Sequence, residues 1–327
     1  MNFNIFVKIA NMNAQDLLLQ AIRKQSKPTS INDEIATVLN ISYDAAHRRV
    51  SGKSKFSIDE TAALASHYNI SLDALFMGTR KVILEKTIEI LTLEDMLQYF
   101  AESAERLRKL TNYPDAALYY FAKDIPIFYF MDGTILSKFK AFAWLHIGNS
   151  NLPQTTFENF VITESFLEHM QKFKKVYDNI NVSEIWSDNT ISSTLQQVVY
   201  FFEAGLLNFK SANAIFNDLK RILGIIEDKC DNPKFALYYN ELLLNNNNVL
   251  VQGNGKQTLF VPYTLLGYFI TDNEESCRNV KGFFTQQVRN SVPMSQSGIR
   301  ERNRFFNNAV RKIDYQIERL STKLDTF

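Results

Sequence analysis

The run His47-Arg48-Arg49, followed by Lys53 and Lys55, carries no acidic residue between its basic side chains. Such a cluster suits the phosphates that flank a DNA groove, and a helix-borne arginine can pair bidentately with guanine. If Tyr43 to Val50 is helical, Ala46 and Val50 lie at i and i+4 on one side. Tyr43, Asp44, His47 and Arg48 then lie on the outer side. Asp44 would repel phosphate unless it accepts from a cytosine amine or caps the helix. The chemistry on offer is recognition of a polyanion, with Arg48 reading a base and Lys53 and Lys55 holding the backbone.

Other chemistries lack their parts. Asp132-Gly133-Thr134 is similar to the phosphatase loop of haloacid dehalogenases, but Phe130 stands where the nucleophilic aspartate belongs. Gly253-Asn254-Gly255-Lys256 is no Walker loop, because Leu250 holds the leading glycine position and Gln257 replaces the magnesium-binding hydroxyl. His146 and His169 stand singly, and Cys230 and Cys277 have no adjacent histidine pattern. No catalytic residue, metal ligand set or cofactor is expected, and the chain reads as a non-enzyme.

The elements that position the basic cluster are punctuated clearly. Leu17, Leu18, Ala21 and Ile22 give a first helical face, stopped at Lys27-Pro28. Ser30 starts a second helix with Ile35, Ala36 and Leu39 inward. Asn40 ends it, Ser42 caps a third, and Gly52 closes that one. Ser57 and Glu60 form a capping box for a fourth, and Ser71 to Phe76 a fifth. Helices this short must share one core.

The stretch Asn32-Asp33-Glu34-Ile35-Ala36-Thr37-Val38-Leu39-Asn40-Ile41-Ser42 resembles the helix-turn of the lambda-repressor/Cro class, also called XRE-like. Tyr43 to Gly52 is similar to that class's recognition helix, and His67 to Phe76 to its closing pattern. Asn32 stands where the class usually has glutamine, and Val50 lies one place later than the usual apolar partner. The resemblance implies a helix-turn-helix in the major groove of double-stranded DNA, contacted by Asn32, Ser42, Tyr43, Asp44, His47, Arg48, Arg49, Lys53 and Lys55.

The chain has 327 residues, 46% of them apolar, and 36 Lys+Arg against 35 Asp+Glu. That balance excludes a uniformly basic nucleic-acid coat. Residues 1–80 carry +2, 278–327 carry +6, and the middle −7, so an acidic body has basic ends. Eleven Gly and seven Pro argue against an all-β sandwich. Two cysteines, no bilayer-length apolar run and no signal-peptide pattern fit a cytoplasmic protein away from membranes. The organisation expected is a leader over 1–11, a five-helix DNA-binding domain over 12–80, a connector helix over 81–112 and a helical effector or dimerisation domain over 113–327. The fold class expected is mainly α, with a small antiparallel sheet near 248–272, where Val249–Val251 and Thr258–Val261 flank Gly253-Asn254-Gly255.

Lys123 to Phe130 and Ser295 to Asn307 resemble blocks of uncharacterised bacterial regulators that join an XRE-like head to a helical C-terminal domain. Pro114 to Tyr120 and Pro233 to Tyr239 share Pro-x-x-Ala-Leu-Tyr-Tyr, but their flanks do not align and the match reads as chance. The rings of Phe121, Phe128, Tyr129, Phe130, Phe139, Phe142 and Trp144 either line an effector pocket or pack as ordinary core. Phe306, Val310, Ile313, Ile317, Leu320 and Leu324 recur in steps of four and three, an apolar stripe. It must be buried on its own domain, with the Leu93–Leu107 helix one partner, or on a second subunit. A sequence-specific homodimeric regulator is therefore expected, its effector unidentified. The alternatives are a helical adaptor whose degenerate head does not bind DNA, and an enzyme with a regulatory DNA-binding head.

Overall fold

The computed structural model describes residues 13–25, 30–72, 75, 82–149, 155–242, 246–294 and 299–324. The chain divides into two compact units, Met1–Ile83 and Leu84–Phe327.

The first unit holds helices α1 (Ala14–Gln25), α2 (Ile31–Leu39), α3 (Tyr43–Val50) and α4 (Ile58–His67). Leu18, Leu19 and Ile22 of α1 meet Ile35, Ala46 and Leu64, one residue type from each following helix, in a shared core. Asn40 ends α2 in the left-handed region at φ 50°, and Ser42 Oγ accepts from the Ala45 N–H to start α3. Ser57 and Glu60 complete a capping box on α4. Leu72 and Leu75 pack on the same core. The leader over 1–11 and much of the fifth helix expected over Ser71–Phe76 lie outside the described residues.

The second unit overturns the expectation of a mainly helical domain with a small antiparallel sheet near 248–272. Its centre is an eight-stranded mixed sheet in the order β1-β7-β6-β5-β2-β3-β4-β8. The strands are β1 (Glu85–Lys86), β2 (Ala117–Ala122), β3 (Asn181–Trp186), β4 (Phe235–Tyr239), β5 (Val249–Gly253), β6 (Lys256–Pro262), β7 (Tyr268–Thr271) and β8 (Val292–Pro293). The expected hairpin is present as β5 and β6, turned by Asn254 and Gly255 at φ 54° and 69°. It joins β2, and β2, β3 and β4 run parallel to one another. These three lie inside the domain over 113–327 that is expected to be helical. Both Pro-x-x-Ala-Leu-Tyr-Tyr segments are strands: Leu118 and Leu237 are buried on one face, and Tyr119 and Tyr238 meet Phe284 on the other. They flank β3 on its two sides.

One face of the sheet packs against α5 (Leu93–Thr111), α6 (Ile135–Gly148), α7 (Glu164–Asp178), α8 (Ser192–Glu203), α9 (Phe209–Lys229) and α11 (Ile299–Leu324), which share one large core with it. Helix α10 (Glu274–Arg289) covers the other face through Cys277, Val280 and Phe284. Parallel strands need such crossovers: β2 reaches β3 through α6 and α7, and β3 reaches β4 through α8 and α9. The helix in the connector region, α5, is part of this core through Met96, Phe100 and Leu107. Its end touches the sheet so closely that a Cβ on Gly253 would lie 1.8 Å from the Leu110 carbonyl oxygen.

The C-terminal stripe is spent inside the unit. Ile313 and Leu320 are fully buried, Phe306 nearly so, and Val310 and Ile317 pack half-buried on the same core. Their helix lies against α9 and α8, not against the Leu93–Leu107 helix. The side chain of Leu324 lies outside the described residues.

One carboxylate sits within the core. Glu184 of β3 is fully buried and accepts from Tyr177 Oη, from Trp186 Nε1 at 2.7 Å and from Tyr129 Oη at 3.4 Å. Burial pushes its pKa up to about 7, against the pull of those donors and of Lys229.

Candidate nucleic-acid interface

Helix α3 is held by three devices. Ala46 is fully buried and Val50 is half-buried, so the i, i+4 pair is the docking side. Arg49 is turned to Glu60: its Nε donates to Oε2 at 2.9 Å and Nη2 to Oε1 at 2.6 Å, with Nη1 on the Ala45 carbonyl at 3.1 Å. Each ion raises the preference of the other for its charged form, Arg49 upward and Glu60 downward. Gln15 of α1 then staples the segment after α3. Its Nε2 donates to the carbonyls of Arg49 and Ser54 at 2.6 and 3.0 Å, and its Oε1 accepts from the Phe56 N–H at 3.1 Å.

The remaining expected contact residues divide plainly. Ser42 is exposed, and its hydroxyl serves the α3 cap. Tyr43, Asp44, His47 and Arg48 are exposed on the outer side of α3, and Lys53 and Lys55 are exposed just beyond it. Tyr43 and His47 stack, their rings 5° from parallel with centroids 6.5 Å apart. Asn32, near the start of α2, donates from Nδ2 to Tyr43 Oη at 3.2 Å and lies 3.5 Å from His47 Nδ1. The structure thus joins Asn32, Tyr43 and His47 into one polar patch spanning both helices of the turn. Arg48, Lys53 and Lys55 have no carboxylate partner among the described residues, whereas Arg49 is withdrawn into its ion pair.

This division predicts a contrast in stability. Glu60→Ala removes both a bidentate partner from a half-buried guanidinium and half a capping box, and is expected to cost about 1–2 kcal/mol. Arg48→Ala is expected to change stability by less than about 0.5 kcal/mol. Thermal unfolding of the two variants side by side measures it; equal losses would contradict the assignment of Arg49 as the structural cation.

Residues 9–108 match the model of the BetR domain. That family is associated with DNA-binding regulators. The BetR match spans α1 to α4 and runs on into α5, covering less than a third of the chain. The description it gives is BetR and not the lambda-repressor/Cro class. No curated protein and no solved structure matches this chain.

Beyond the BetR match, the expected absence of nucleophiles meets two buried thiols. Cys230 and Cys277 have pKa values pushed up to about 12 and about 11, mainly by desolvation. No group of three or more His, Cys, Asp or Glu able to hold a metal occurs among the described residues. No helix among them is long and apolar enough to cross a membrane. The seven-ring set splits. Phe139 and Phe142 pack on Phe157 and Phe201, Phe128 and Tyr129 on Tyr177, and Phe121 meets Phe284 on the opposite sheet face. Phe130 and Trp144 line a cavity.

Proposed function

We propose that this chain is a sequence-specific DNA-binding transcriptional regulator. The observation that carries the reading is the outer side of α3. Tyr43, Asp44, His47 and Arg48 are exposed there, next to Lys53 and Lys55, while Ala46, Arg49 and Gln15 fix the helix from behind. A rigidly seated helix with a polar outer side is what major-groove reading requires. The BetR match supports the regulatory class. In this reading Arg48 contacts a base, Lys53 and Lys55 contact phosphates, and the Asn32–Tyr43–His47 patch contacts the groove or its flank. No catalytic step is part of it, and its site of action is the cytoplasm.

The test is footprinting of the intact protein on the DNA upstream of its own gene, followed by titrations at several salt concentrations. Arg48→Ala is expected to cost about 1–3 kcal/mol and to relax specificity at one position. Lys53→Ala is expected to weaken all duplexes alike and to reduce the salt slope by roughly one unit. Unchanged binding in both folded variants would reject the groove assignment. Two half-sites read by two heads make a homodimer part of the proposal. Because the α11 stripe is consumed within its own unit, the dimer uses another surface, and sedimentation showing a monomer at micromolar concentration would dismiss it.

A further inference from the structure

We propose that the cavity at the carboxyl ends of β2 and β3 is a binding site for a small organic anion with a planar ring. The cavity measures about 670 Å³, within the range of small-molecule sites. Loops that follow parallel strands are where sheets with helical crossovers hold their ligands. Here the loop after β2 supplies Lys123 and Asp124, and the loop after β3 with the first turns of α8 supplies Asn189, Ser193 and Gln196.

The floor and the rim differ in chemistry. Phe130, Trp144 and Tyr120 are buried behind the cavity wall, with Lys140 Nζ 4.5 Å over the Phe130 ring, and the half-buried rings of Tyr263 and Tyr268 are the aromatic surface open to the cavity. A flat apolar group stacks on such a floor. Among the described lining residues the carboxylate is Asp124, and it is already satisfied. Its Oδ2 accepts from Lys140 Nζ and Ser193 Oγ, each at 3.1 Å, and its Oδ1 accepts from the Ile125 N–H at 2.8 Å and from Thr194 Oγ1 at 3.2 Å. Lys140 is fully buried and cancels that charge. Lys123 at the rim is exposed and has no carboxylate partner among the described residues. The uncompensated charge of the cavity is therefore positive, and the rim amides of Asn189 and Gln196 offer donors beside it.

The walls are set before any ligand arrives. Asn247, at φ 62°, accepts at Oδ1 from the N–H groups of Lys123 and Asp124 at 2.8 and 3.1 Å. The β6–β7 turn is closed by Gly267, whose N–H donates to Thr264 Oγ1 at 2.8 Å and whose carbonyl accepts from the Tyr263 N–H at 3.0 Å. A preformed site loses less on binding. The existence of the site stands on this geometry alone; its role as an effector site rests on the DNA-binding reading.

The probes are naphthalene-2-sulfonate and the neutral naphthalene-2-sulfonamide, titrated by calorimetry and tryptophan fluorescence into the intact chain without DNA. The sulfonate is expected to bind one per chain, about tenfold more tightly than the sulfonamide. Lys123→Glu is expected to lower sulfonate affinity by roughly tenfold and leave the sulfonamide unchanged. Gln196→Trp is expected to exclude both. Both substitutions are at exposed positions, and an unaltered melting temperature assigns their effects to binding. No binding of either probe at millimolar concentration, equal affinities, or indifference to Gln196→Trp would overturn the proposal. Arg48→Ala separates the two readings: it should impair duplex binding with sulfonate affinity intact, so either activity can fail without the other.

Discussion

A chain ending at Asn308 is expected to lose the cooperative unfolding transition of its second unit. The cut removes Ile313 and Leu320, which are fully buried, and Val310 and Ile317, which are half-buried on the same core. Complete burial of an aliphatic side chain contributes about 1.5–3 kcal/mol, and the exposed surfaces of α8 and α9 add to the loss. The total, roughly 5–10 kcal/mol, is comparable to the whole stability of a typical domain, about 5–15 kcal/mol. The ion pairs of Glu203 with Arg319 and Lys323 are solvent-exposed and contribute little beside it. Calorimetry of the truncated chain should show the transition of the first unit, whose core is built from residues before Ile83, and none for the second. A preserved second transition would mean that the stripe is not needed where the structure places it.

The second large effect is one of pH. Glu184 has a folded-state pKa of about 7 against an ordinary 4.5. Between those values the folded chain keeps a proton that the unfolded chain releases, so stability falls as pH rises. The contribution is fully present below pH 4.5 and is lost as pH passes through about 7, a change of about 3 kcal/mol. Glu184→Gln cannot ionise, and its amide can still pair with Trp186 and the two tyrosines. The difference in denaturant stability between parent and variant is therefore expected to favour the variant progressively from pH 5 to pH 8. A constant difference across that range would show that Glu184 is ionised in the folded state throughout.

The first unit was legible because its information is local. Ser42 and Ser57 cap helices, Asn40 takes the left-handed turn, and Ala46 and Val50 mark a buried side at helical spacing. What escaped is long-range pairing. Arg49 looks like one more cation of a basic run until α4 brings Glu60 to it, and Gln15 looks like an ordinary polar residue of α1. The signal for Arg49 was present in Glu60, which was read as a cap and is both cap and counterion. In the second unit, β5 and β6 announced themselves through Asn254-Gly255. Strands β2 and β4 did not, since strands buried on both faces show continuous apolar runs in place of alternation, and β3 was masked by Ser183 and the core carboxylate Glu184 in its middle. The shared Ala-Leu-Tyr-Tyr was the overlooked clue, β-favouring tyrosines recurring in two strands of one sheet. Of the cavity, Phe130 and Trp144 were within reach of the sequence, but its charge was not, because the Lys140–Asp124 pair forms only across the fold.

The position of β2 also dictates an order of assembly. Ala117 pairs with Asn181 on one side and with Gln252 on the other, so neither edge of this strand can be covered until distant chain has been made. Contacts of such separation fold slowly, while the first unit closes its core among neighbouring helices. During synthesis the first unit is therefore complete while the sheet still lacks its centre, and β2, with Leu118, Tyr120 and Phe121, is an apolar strand with two open edges. Chains interrupted between β3 and β5 would carry a finished first unit on an aggregation-prone body.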